Sequence, residues 1–204
     1  MIAIFVEPTG SLREILIECK TLIERQRPGE PLCSHPPHCT LLHGHYGESS
    51  AWLSRLAETI SKHASFEIAT TGWQVFANDP LTGGGQTLAL HAKASASLYE
   101  LQFAVADVLA SFVFPTGERN PLSTREPYAT SLRRYGYPYV GAHWIPHFTV
   151  ASLMVCEDDP WFVALTSAPA SHRFLVESIS VWNVDGDRHE RLHELRLALP
   201  CLRP

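Results

Sequence analysis

Two short segments hold the residue types most capable of chemistry: Pro37-His38-Cys39-Thr40-Leu41-Leu42 and Pro146-His147-Phe148-Thr149-Val150-Ala151. Each reads as a strand, along which side chains alternate between two faces. His38 and Thr40 therefore share one face while Cys39 and Leu41 take the other, and His147 and Thr149 oppose Phe148 and Val150 in the same way. If helices cover the apolar faces, the polar faces can meet across one cleft that offers two imidazoles and two hydroxyls. Such a set suits the breaking of a phosphodiester without a metal. One His takes a proton from the attacking oxygen and the other gives a proton to the departing oxygen, since an imidazole with a pKa of about 6.5 can hold either state near neutrality. The threonine hydroxyls, with any Arg or backbone N–H that approaches, can donate to the non-bridging phosphoryl oxygens. A single His-x-Thr is a weak signal, because any half-buried strand can carry one. Two of them, each after a proline and each at the same step of a repeated plan, are a much stronger one.

The repeated plan comes from the elements that must position these groups. Apolar stripes at helical spacing follow Ser11-Leu12-Arg13-Glu14, which reads as a capping box, and run to a stop near Gly29. A second helix is expected from about Ser49 to His63, a third after the box Ser97-Leu98-Tyr99-Glu100, and a fourth after Asp159-Pro160, where Asp can cap and Pro fits the first turn. Strand signals lie at Ile2–Val6, His38–Leu42, Phe66–Phe76, Gln86–His91, His147–Leu153, Phe174–Val184 and Leu195–Leu199. The order strand, helix, Pro-His-x-Thr strand, helix, long strand thus occurs twice, with nearly equal separations from His38 to Phe66 and from His147 to Phe174. This predicts one duplicated α+β domain over residues 1–204, made of two pseudo-symmetric lobes. An irregular insert at about 113–142, rich in Pro and Gly, interrupts the second copy. Within it Arg119, Arg125, Arg133 and Arg134 outnumber Glu118 and Glu126, and Tyr128, Tyr135, Tyr137 and Tyr139 are interleaved with them. Arg134 and Tyr135 are candidates for binding a phosphate and stacking a base. The alternative is a solvated loop packed by its own tyrosines.

On these residues the chain resembles the 2H phosphoesterases, a superfamily with paired His-x-Ser/Thr motifs that includes bacterial 2′-5′ RNA ligase-like proteins and cyclic nucleotide phosphodiesterases. His38-Cys39-Thr40-Leu41-Leu42-His43-Gly44 looks like the first motif and Trp144-Ile145-Pro146-His147-Phe148-Thr149-Val150-Ala151 like the second. The resemblance implies a bilobal fold with two antiparallel sheets facing a central cleft and helices outside. It implies metal-independent cleavage of 2′,3′-cyclic or 2′-5′ phosphodiesters of nucleotides or RNA ends, with His38, Thr40, His147 and Thr149 catalytic and no cofactor. Arg134-Tyr135-Gly136-Tyr137-Pro138-Tyr139 is more loosely similar to a branch associated with phosphonate metabolism.

Rival readings start from other residues. His189-Glu190-Arg191-Leu192-His193 matches H-E-x-x-H, which on a helix would make a zinc metallopeptidase site. It follows the turn-like Asp185-Gly186-Asp187 and precedes the alternating Leu195–Leu199, so the return strand of a hairpin is the stronger expectation. His43-Gly44-His45 is expected to be solvated or hydrogen-bonded, and Gly83-Gly84-Gly85 to be a turn, since it lacks the Lys-Ser/Thr of a P-loop. A binding module that recognises a nucleotide or RNA end without turnover is the other alternative, although all four His and Thr groups are intact.

Composition limits the partners. The 204 residues carry 16 Lys plus Arg against 21 Asp plus Glu, a formal charge of −5, which disfavours binding to long duplex nucleic acid by charge alone. No signal peptide is evident, and no apolar run approaches the roughly 20 residues of a membrane span. Five irregularly spaced cysteines, Cys19, Cys33, Cys39, Cys156 and Cys201, fit neither a disulfide framework nor a cysteine zinc site. A cytoplasmic monomer acting on a small nucleotide or RNA-terminal phosphodiester is the resulting expectation.

Overall fold

Strand alternation and helical stripes translate into a mixed α/β architecture in a computed structural model that describes residues 1–47, 49–79, 82–115, 120–186 and 188–199. The elements are β1 (Ile2–Val6), α1 (Gly10–Gln26), β2 (Cys39–Gly44), α2 (Ser49–Ile60), β3 (Phe66–Asp79), β4 (Gly85–Ala92), α3 (Ala96–Ala110), α4 (Tyr128–Tyr135), β5 (His147–Leu153), α5 (Pro160–Thr166), β6 (Arg173–Val176), β7 (Ser178–Asp185) and β8 (Arg188–Arg196). Local chemistry accounts for the boundaries. Asp159 caps α5 as expected, its side chain accepting from the N–H groups of Trp161 and Phe162. The other two expected caps move: Ser95, not Ser97, accepts from Leu98 N at the start of α3, and α1 begins at Gly10 with Thr9 as an N-cap that makes no side-chain bond. The insert contains one regular α-helix among its described residues, the two-turn α4, preceded by Pro127 at its N-cap and ended by Gly136 in the left-handed region at φ +68°. Gly83 and Gly84, at φ +66° and +111°, form the turn before β4. Glu118, Arg119, Asp187 and Cys201 lie outside the described residues.

The strands pair in the order β6-β3-β4-β5-β2-β1-β7-β8. Every neighbouring pair in that order runs antiparallel. This corrects the expectation of two separate sheets. Two four-stranded halves do exist, but they are joined at their inner strands, where β2 and β5 share one register position, Cys39 opposite Phe148. Both residues are fully buried beneath the helices, together with Leu41, Val150, Leu98, Leu101, Leu12 and Leu16. Each such side chain contributes on the order of 1.5–3 kcal/mol by leaving water, so the seam is held by its apolar face. Away from that position the strands diverge. The outer ends of the order also come together: β6 and β7 are separated only by Glu177, whose carbonyl accepts from Leu197 N, and Ala64 bridges Ala198. The expected long strand Phe174–Val184 is therefore two strands, broken where the chain leaves β3 and joins β1.

The strand order crosses the sequence: β3 and β4 pair as a hairpin, while β7, late in the chain, lies beside β1. No helix among the described residues is long and apolar enough to cross a membrane.

Candidate active site

β2 and β5 set the four candidate groups. His38 and Thr40 are half-buried while Cys39 and Leu41 are fully buried, and His147 and Thr149 are half-buried while Phe148 and Val150 are fully buried, so the strand alternation holds in both motifs. Antiparallel register adds what alternation alone cannot. The one paired position, Cys39 opposite Phe148, lies between His38 and Thr40 on one strand and between His147 and Thr149 on the other, so the two motifs meet there. The half-buried histidines and threonines take the face opposite to the fully buried residues between them.

The two imidazoles are held alike. His38 Nδ1 donates to the Pro36 carbonyl at 2.6 Å, and His147 Nδ1 donates to the Ile145 carbonyl at 2.7 Å. A carbonyl only accepts, so each Nδ1 bears hydrogen and each neutral ring leaves Nε2 with a lone pair. Aromatic rings back both groups: Phe5 stacks on His38 with centroids 3.8 Å apart, and Phe76 lies 5.0 Å from His147. Burial drives the His38 pKa down to about 3, opposed by the Pro36 bond and assisted by the nearby positive charge of Lys20 and by His35 and His189. His147 is lowered by the same cause, with His91 assisting. Both rings therefore favour the neutral form, and an arriving anion would raise both values.

Other residues reach this face without a motif to announce them. Phe5, Phe76 and His91 lie on β1, β3 and β4, and His91 is registered opposite His147 while bonding Thr71 Oγ1 at 2.8 Å. His35 and His189 sit with rings 4.1 Å apart. The strand period on β1 and β4 was the available signal, since it places Phe5 and His91 on the same face as their neighbours' motif residues.

The remaining candidates lie elsewhere. Arg134 pairs with Asp107 on α3 at 3.5 Å and packs its guanidinium over the ring of Tyr135, which is itself buried. Neither residue joins the four groups at the seam. Tyr128, Tyr137 and Tyr139 pack edge to face at 5.6 Å, with Arg125 over Tyr128, so the loop is packed by its own tyrosines. His43 contacts the ring of Tyr137, and burial lowers its pKa to about 4. His189 and His193 lie on β8, registered opposite Val184 and Val181, so H-E-x-x-H has no helix on which to place two ligands one turn apart.

A family model described as the 2′-5′ RNA ligase superfamily matches residues 18–188, a span that includes both motifs. Among solved structures the chain is similar to TT0787 of Thermus thermophilus, with 17% identity over 96% of each chain and a TM-score of 0.63. It is similar to E. coli LigT complexed with 3′-AMP, with 15% identity over 96% of this chain and 97% of that one and a TM-score of 0.55. E. coli LigT complexed with ATP matches with 14% identity over 97% of each chain and a TM-score of 0.56. No curated protein sequence matches the chain significantly. The family match across most of the chain, with the likeness in fold, identifies it as a member of the 2′-5′ RNA ligase superfamily of 2H phosphoesterases.

Proposed function

We propose that this protein is a metal-independent phosphodiesterase that hydrolyses 2′,3′-cyclic or 2′-5′ phosphodiesters of nucleotides or RNA ends. The observation that carries the reading is the matched pair of Nδ1-to-carbonyl bonds in two motifs that meet at one paired position, which leaves the Nε2 atom of each ring for chemistry. Superfamily membership supports a phosphodiesterase or RNA-end role, and the 3′-AMP and ATP named in the LigT structures support a small nucleotide as ligand.

In this reading the cleft lies between the two four-stranded halves, and Nε2 of one histidine accepts a proton from water as its oxygen attacks phosphorus. For a 2′,3′-cyclic substrate the P–O3′ bond breaks, the 3′ oxygen receives a proton from Nε2 of the other histidine, and the product carries a 2′-phosphate. The catalytic pair therefore holds one proton when it starts, and the substrate anion helps to keep it there. Thr40 and Thr149 donate to the non-bridging oxygens. The backbone carbonyls fix ring orientation and stabilise the imidazolium that forms.

The test is product formation from 2′,3′-cyclic mononucleotides and 2′-5′-linked dinucleotides, with a chelator present, in wild type and His147→Ala. Chelator-resistant cleavage that the variant loses by at least about 10²-fold is expected, the usual range for one acid or base. Tight binding of these nucleotides without turnover would instead make the protein a recognition module, and full activity in His147→Ala would end the mechanism.

A further inference from the structure

Two long polar side chains, one on α1 and one on α3, are buried almost completely, and neither belongs to the His-x-Thr motifs. Lys20 on α1 is 7% exposed and Gln102 on α3 is 0% exposed. Lys20 Nζ donates to the Leu32 carbonyl at 2.8 Å and to the Val150 carbonyl at 2.6 Å. Gln102 Nε2 donates to the Tyr139 carbonyl at 2.8 Å and to the Leu41 carbonyl at 3.3 Å, while its Oε1 accepts from Gly141 N at 3.0 Å.

The partners correspond under the internal repeat. Leu32 and Tyr139 belong to the segments that lead into His38 and His147. Val150 and Leu41 each follow the threonine of a motif, but in both cases it is the motif of the opposite copy. Each helix therefore ties the approach to its own motif to the strand of the other. Leu41 and Val150 are the residues passed over by the register shifts of β2 against β1 and of β5 against β4, so the ladders open there and these two carbonyls accept from the helices. Main-chain and indole bonds flank the same openings, from Ser152 N to the Pro31 carbonyl and from Trp144 Nε1 to the Thr40 carbonyl.

We propose that Lys20 and Gln102 are equivalent positioning residues whose crossed hydrogen bonds set the spread of the β2–β5 seam, and with it the separation of the two imidazoles. The inference rests on the catalytic reading of His38 and His147, and it deepens that reading by assigning two residues that act through the strands without touching substrate. A hydrophobic residue of equal size at either place would fill the space but leave two buried carbonyls without donors, so the strands would relax toward other partners. Misplacement of reacting groups by about 1 Å can cost on the order of 10²-fold in rate.

The experiment compares Lys20→Met, Lys20→Gln and Gln102→Leu with wild type. Thermal unfolding establishes folding, imidazole NMR resonances of His38 and His147 report the site without substrate, and kcat and KM are measured on the best substrate of the panel. Lys20→Met and Gln102→Leu should shift both imidazole signals and lower kcat about tenfold or more with KM within about threefold, while Lys20→Gln, which keeps donors, should stay near wild type. Folded variants with unmoved resonances and wild-type kcat would overturn the proposal, as would equal losses in Lys20→Gln and Lys20→Met. If Gln102→Leu does not fold, the two Lys20 variants decide. If wild type cleaves nothing on the panel, the catalytic reading fails by itself, and the resonances still decide whether the crossed bonds hold the seam.

Discussion

Mild acid should destabilise this protein well before its carboxylates titrate. Burial lowers His38 from an ordinary value of 6.5 to about 3 and His43 from 6.5 to about 4. Between those limits and pH 6.5 the unfolded chain binds more protons than the folded one, so stability rises with pH through the window. It is fully present above 6.5 and is lost as pH falls. At pH 5 each ring lies about 1.5 units below its unfolded pKa, which at 1.36 kcal/mol per unit is about 2 kcal/mol for a fully buried group. Both rings are half-buried, so solvent screening reduces this to about 1 kcal/mol each, or about 2 kcal/mol for the pair. For a domain of this size that corresponds to a fall of about 4–8 °C in Tm. Calorimetry at pH 7.5, 6 and 5 measures it, and His38→Gln/His43→Gln should lose at least half of the slope. A wild-type Tm that is flat between pH 7.5 and 5, or a double variant that falls as steeply as wild type, would refute the reasoning.

Two further outcomes follow from the site and its supports. Thr40→Val and Thr149→Val should each lower kcat by less than either histidine substitution, because they remove a donor to phosphoryl oxygen and leave the proton path intact; silence in both variants would remove the hydroxyls from the mechanism. Gly85→Ala should cost about 3 kcal/mol, since an added Cβ would lie 2.2 Å from the Leu153 carbonyl oxygen in the backbone of β5; a melting curve within about 2 °C of wild type would show that β4 and β5 can separate there.

The motif residues were legible because strand period is a strong local constraint: a histidine and a threonine two apart must share a face, and Cys39 and Phe148 are too apolar to take the outer one. Local spacing also read the turn ahead of the last strand, although it expected that strand at Leu195–Leu199 and β8 runs Arg188–Arg196, through His189 and His193. What it could not supply was register. That Cys39 opposes Phe148, and not some other residue, depends on pairing between segments far apart in the chain, which leaves no mark on either. Lys20 and Gln102 were invisible for a related reason, since a polar residue on an amphipathic helix ordinarily faces water, and only the carbonyls of Val150 and Leu41, passed over where the ladder register shifts, draw these two inward. Arg134 and Tyr135 were favoured by position and chemistry; that Arg134 pairs with Asp107 and stacks on Tyr135 is a contact that local spacing does not announce. The strands form one order because β7 returns to pair with β1, a pairing between distant segments that local spacing cannot display.

That pairing also bears on how the chain is made. During synthesis β1 and β2 can pair as soon as both exist, but the other edge of β1 has no neighbour until β7 has been made. Throughout that interval Ile2-Ala3-Ile4-Phe5-Val6 presents an open, apolar strand edge, the kind that templates aggregation. Molecules cut short before Ser178 would keep that edge permanently.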